Sequence, residues 1–92
     1  MTDKKLIFVE WHDAFGVSSD WQEITDVVKE TKPLLVRSVG WEIHRDDSCL
    51  VIVPHLSDVG HDRTNQQGCG DMTIPVACIV REQEIKLKKA SQ

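Results

Sequence analysis

Two segments of the chain alternate apolar and polar residues with period two, a third is short and continuously apolar, and each is bounded by proline, glycine or acidic turn residues. That punctuation constrains the fold more than any other feature. In residues 4–13, Ile7, Val9 and Trp11 share one face, with Leu6 and Phe8 opposite, while Glu10 and His12 place the second half at a wet edge. From Leu34 to His44 the alternation returns, with Leu35, Val39, Trp41 and Ile43 on one face and Ser38, Gly40, Glu42 and His44 on the other. Cys49, Leu50, Val51, Ile52 and Val53 form an apolar strand ended by Pro54. Arg45, Asp46, Asp47 and Ser48 lie between the second and third strands and predict an antiparallel hairpin. Gly40, inside a strand, predicts a bulge or a place where another backbone or a ligand comes close.

One stretch departs from this period. Trp21, Ile24, Val27 and Val28 fall at helical spacing, predicting a helix of about three turns. Ser18, Ser19 and Asp20 offer N-caps, and the helix ends near Glu30, before Thr31, Lys32 and Pro33. Further on, Met72, Thr73 and Ile74 read as a short strand reaching Pro75, Val76 and Ala77 as one helical turn, and Cys78, Ile79 and Val80 as the start of a last strand. The fold expected is α+β, mainly β: a small SH3-like, partly open barrel of four or five antiparallel strands with one helix inserted between the first and second. An open sheet with the helix packed on one face is the alternative. The chain of 92 residues is read as one domain, with an ordered core over 4–85 and a frayed basic tail over 86–92.

So short a chain leaves a thin core, which predicts self-association and leaves little room for a large cavity inside one subunit. Eleven Lys and Arg against 15 Asp and Glu give a formal charge of -4, the wrong sign for duplex DNA. No apolar run reaches membrane-spanning or signal-peptide length, so a cytosolic protein with no membrane partner is expected. Cys49, Cys69 and Cys78 are odd in number and widely spaced, which predicts reduced thiols. Cys49 and Cys78 sit in apolar runs, and Cys69, between Gly68 and Gly70, is the accessible one.

Residues 55–71 are polar, contain three glycines and make a long loop of the kind that carries function. Within it His55, His61, Asp62 and Cys69 match no standard zinc spacing, so surface histidines are preferred to a metal site. Cys69 lacks a visible activating base, and Asp46 with Asp47 is explained by turn formation, as exposed Asp58 and Asp62 are by the loop. No catalytic residue, metal or cofactor is therefore assigned. A stacking and polar ligand site is assigned instead, made of Trp41, Arg37, His55, Arg63, Asn65, Gln66 and Gln67, with Trp11, His44 and Thr64 as further contributors. An aromatic face accepts a base, a guanidinium pairs with phosphate in fork geometry, and amides read a base edge. Tryptophans in a small chain also serve as core pieces, and such a pocket is best completed where subunits meet.

Trp11 to Asp13, Ser38-Val39-Gly40-Trp41, Asp46-Asp47, the strand ending in Pro54, and Gly68-Cys69-Gly70-Asp71-Met72-Thr73-Ile74-Pro75 followed by Cys78 and Ile79 resemble a family of small uncharacterised phage and prophage proteins. The likeness spans most of residues 8–80. It implies a phage origin and a small accessory binder, either sequestering a nucleotide-derived signal in a counter-defence role or inhibiting a host protein, and the charge of -4 permits the second through an acidic surface or sheet edge. It transfers no enzymatic activity.

Overall fold

The computed structural model describes residues 4–16, 18–57 and 65–88. The first strand, β1 (Leu6–Asp13), is followed by α1 (Ile24–Lys29), β2 (Leu34–Arg45), β3 (Cys49–Val53), β4 (His55–Leu56), β5 (Gly68–Cys69), β6 (Met72–Pro75), a 3-10 turn (Val76–Cys78) and β7 (Ile79–Ile85). Five of the strands make one antiparallel sheet in the order β6-β3-β2-β1-β7, and β4 pairs with β5 in a separate ribbon. The protein is mainly β. The edge strands β6 and β7 are not bonded to each other, so the sheet is not closed.

Register decides the faces. Ile7 lies opposite Gly40, Val9 opposite Ser38 and Trp11 opposite Val36, while Leu50 lies opposite Ile74 on the other side of β2. Ile7, Val9, Leu50, Ile52 and Ile74 are buried together, with Trp11 and Ile79 packed against them. Among the described residues this inner face buries itself without a second layer, which requires the sheet to curl so that β1 and β3 meet over β2. The small residues of β2 permit this. A Cβ on Gly40 would lie 3.0 Å from both the Ile52 Cβ and the Val53 carbonyl oxygen. Gly40 therefore marks a close approach, while the bulge of β2 falls between Glu42 and His44. Gly40→Ala is expected to cost about 1–3 kcal/mol by overpacking, whereas Gly16→Ala, with nothing within 4 Å, serves as the neutral control in urea denaturation. Trp11 is a structural residue, its Nε1 donating to Ser38 Oγ at 3.1 Å.

At the open end of the inner face Arg45 reaches across β1. Its guanidinium donates two bonds to the Glu82 carboxylate on β7 and two more to Glu42. Those carboxylates, Glu82 first, hold the guanidinium above its already high ordinary value. A tie between β2 and β7 over the intervening strand fits a curled sheet.

β7 pairs with β1 only as far as Trp11, so His12 and Asp13 continue as a two-stranded arm with Leu34 and Leu35. Residues 14–16 and 18–33 form its tip. The helix there is shorter than the three turns expected, with six residues, no side-chain cap and no buried residue. Ser18 and Asp20 bond to each other instead, the Asp20 amide donating to Ser18 Oγ at 3.0 Å, so the side chains meant for capping close a local turn. Trp21 precedes the helix and is fully exposed, and Ile24 and Val28 are exposed beside it. The two ends of the 55–71 segment are paired, His55 with Cys69 and Leu56 with Gly68. His61, Asp62, Arg63, Thr64 and Asp58 lie outside the described residues, as do positions 89–92 of the basic tail.

Candidate functional site

The outer face of the sheet, opposite the core, holds two of the residues chosen from sequence. Arg37 and Trp41 are four apart on β2 and so project from the same side, with Val39 between them. Cross-strand pairing adds Leu6 opposite Trp41, Phe8 opposite Val39 and Glu10 opposite Arg37. On the far side of β1, Arg81 of β7 lies opposite Glu10. The result is an apolar strip of Leu6, Phe8, Val39 and Trp41 that ends in a charged cluster.

That cluster has one anion for two cations. Arg37 Nε donates to Glu10 Oε2 at 2.7 Å and Arg81 Nε to Glu10 Oε1 at 2.8 Å. The hydrogen bond from Arg81, aided by Arg37, holds the Glu10 carboxyl below the usual range. Arg81 also stacks over the Phe8 ring, 5.3 Å from its centroid. Both guanidiniums are well exposed, whereas the carboxylate between them is largely covered. The two guanidiniums thus border an apolar strip, an arrangement suited to a flat, anionic group.

The β4–β5 ribbon borders the same face. Val53 is the cross-strand neighbour of Trp41 and is buried, and a Cβ on Gly68 would lie 3.2 Å from both Val53 methyls. Gly68 therefore passes directly over Val53. The ribbon carries His55, and its approach carries Asn65, Gln66 and Gln67, all exposed. The Gln67 amide donates to Ser57 Oγ at 2.9 Å and its carbonyl accepts from the Ser57 amide at 2.8 Å, which fixes the ribbon's end. No hydrogen bond or ion pair described joins Trp41 or Arg37 to these ribbon side chains; the two groups are neighbours through Val53.

Sequence reasoning missed Phe8, Glu10 and Arg81, because only strand register places them beside Arg37 and Val39. Elsewhere, a groove of about 480 Å³ runs along the arm tip between Phe15, Gln22, Val27 and Pro33. None of the residues chosen from sequence lines it. Among the thiols, Cys69 is exposed and Cys49 and Cys78 are partly buried, and all three are free. Cys69 sits opposite His55 in the ribbon.

At the β2–β3 turn, Asp46 Oδ1 accepts from the Ser48 amide and hydroxyl, both at 2.8 Å, and from the Cys49 amide at 2.9 Å. Oδ2 pairs with His44 Nε2 at 2.8 Å. His44 first, then these turn donors, push the Asp46 carboxyl far below its ordinary value of 3.8. A depressed folded value means that the turn's stabilisation is complete above the unfolded value and is lost as pH falls through the folded one. Carboxyl-carbon NMR is expected to find Asp46 still ionised at the ordinary midpoint, and His44→Ala to move its titration upward. An unshifted Asp46 in the parent chain would contradict this.

No protein-family model, no curated protein and no solved structure matches the chain. Among the described residues no helix is long and apolar enough to cross a membrane.

Proposed function

We propose that the chain is a non-catalytic binding domain of phage or prophage origin, which takes a nucleotide-derived ligand on the outer face of its sheet and works as a homo-oligomer in the host cytosol. The carrying observation is the Leu6, Phe8, Val39 and Trp41 strip bounded by Arg37 and Arg81, which share a single carboxylate. A base stacks on the strip and a phosphate takes the guanidinium forks. The face is open, so a second copy supplies the enclosure that a small ligand needs. The exposed Leu35, Val39 and Ile43 on β2 favour such an association. The sheet order, with a 3-10 turn before the last strand, supports an SH3-like barrel left partly open.

The test is thermal-shift and calorimetric screening of the full chain against mono-, di- and cyclic nucleotides, alongside light scattering for oligomer mass. Stabilisation by one nucleotide class supports the reading. No response from an intact oligomer overturns it.

A second reading, inhibition of a host protein, has one specific observation behind it: Trp21 is fully exposed at the arm tip beside Ile24 and Val28. The same stretch of sequence carries Asp20, Glu23, Asp26 and Glu30 against Lys29 and Lys32. A partner would offer an apolar groove with a basic rim.

A further inference from the structure

We infer that the β2–β3 hairpin holds a zinc-class divalent cation through His44 Nε2, Asp46 Oδ2 and Cys49 Sγ, with water as the fourth ligand. One ligand atom from each of the three residues lies within 4.8 Å of the others. Zinc with nitrogen, oxygen and sulfur donors at roughly 2.0–2.3 Å sets ligand atoms about 3.3–3.7 Å apart in a tetrahedron. The 2.8 Å contact between His44 and Asp46 therefore opens by about half an ångström as the metal replaces the shared proton, and the sulfur closes by about 1 Å or less. These are side-chain movements.

The backbone already holds the donors in position. The bulge between Glu42 and His44 resets the facing of β2 at the histidine. Asp46 is anchored through its other oxygen by Ser48 and Cys49, so Oδ2 is left to point at the site. Such support around a ligating carboxylate is what orients metal ligands in built sites. The turn is itself braced on both sides, by the Asp46 amide donating to the Cys49 carbonyl at 3.0 Å and the Val76 amide to the Ser48 carbonyl at 2.9 Å. An imidazole, a carboxylate and a thiolate together favour zinc over magnesium or calcium, which prefer all-oxygen shells. The spacing, His44-x-Asp46-x-x-Cys49, belongs to a bulged hairpin and differs from the paired-cysteine pattern of zinc ribbons. The site shares no residue with the outer-face ligand strip of Leu6, Phe8, Val39 and Trp41, so its failure leaves that proposal standing.

The experiment is cobalt and zinc titration of the reduced full chain. One equivalent of cobalt is expected to give thiolate-to-metal absorption in the near ultraviolet and the visible bands of a tetrahedral centre. Zinc should displace it, as followed with a chromophoric chelator. Cys49→Ser and His44→Ala are each expected to weaken binding at least 10-fold with the circular dichroism unchanged, while Cys69→Ser and Cys78→Ser leave it intact. Asp46→Asn, which keeps the Oδ1 acceptor, separates loss of the ligand from loss of the turn and is expected to weaken binding in the same way. Absence of thiolate absorption overturns the proposal, as does a signal that survives Cys49→Ser but disappears in Cys69→Ser.

Discussion

Replacing Leu50 with alanine is expected to lower stability by about 2–5 kcal/mol, the range for truncating a fully buried leucine. The side chain is wholly inaccessible and lies in a core where Ile7, Val9, Ile52 and Ile74 are its buried companions. Leu50 and Ile74 face each other between β3 and β6, so the cavity opens where the curled sheet has no second layer to collapse into it. A chain of this size has a total stability of only about 5–14 kcal/mol, and the loss is expected to lower Tm by about 8–40 °C. Leu50→Met, which conserves volume, should cost less than about 1.5 kcal/mol, and Val80→Ala, at a site 56% exposed, within about 0.5 kcal/mol. Thermal unfolding followed by circular dichroism orders the three. Equal losses for Leu50→Ala and Val80→Ala would mean that the inner face is not the core.

The strands were legible because alternation is a local signal that burial amplifies: Ile7 and Val9 can face the core only if Leu6 and Phe8 face away. Pro54 and Pro75 end strands for an equally local reason, the missing amide. The helix was less legible. Trp21, Ile24, Val27 and Val28 have the spacing of a buried stripe, but burial is a property of the partner surface, and at the end of a two-stranded arm the described residues offer none. Nothing then favours extending the helix back to Asp20, whose side chain bonds locally with Ser18. Gly40 was ambiguous between bulge and close approach, because the two differ only in which strand lies across from it.

The candidate site was legible only along one strand. Arg37 and Trp41 could be placed on a common face by counting, whereas Arg81 is 44 positions further on than Arg37 in the sequence and joins them through β1, by a register that no local pattern encodes. The same holds for Glu10, whose covered carboxylate between two arginines turns a scattered set of charges into one cluster. The hairpin cluster of His44, Asp46 and Cys49 is hidden differently: turn formation fully accounts for Asp46 in the sequence, and the bulge that brings His44 beside it is a backbone event.

Trp41→Ala is expected to reduce nucleotide binding by about 5- to 150-fold, the effect of removing one stacked aromatic worth about 1–3 kcal/mol. Arg81→Ala should do as much, because a charge-assisted bond contributes about 1.5–3 kcal/mol, and its loss should also weaken the dependence of binding on salt. Trp41 also neighbours the buried Val53 across β2 and β3, so a structural effect must be separated from a recognition effect. Trp41→Phe provides that separation, since it keeps a ring over Val53 and a stacking surface and should recover most of the affinity. Trp21→Ala, at the arm tip, should leave nucleotide affinity unchanged while abolishing any stable complex with a host protein. Calorimetry on these four variants therefore decides between the two functional readings. If Trp41→Ala and Arg81→Ala both bind as the parent does, the outer face is not the ligand site. If only Trp21→Ala loses a partner, the arm is the recognition element and the sheet is its support.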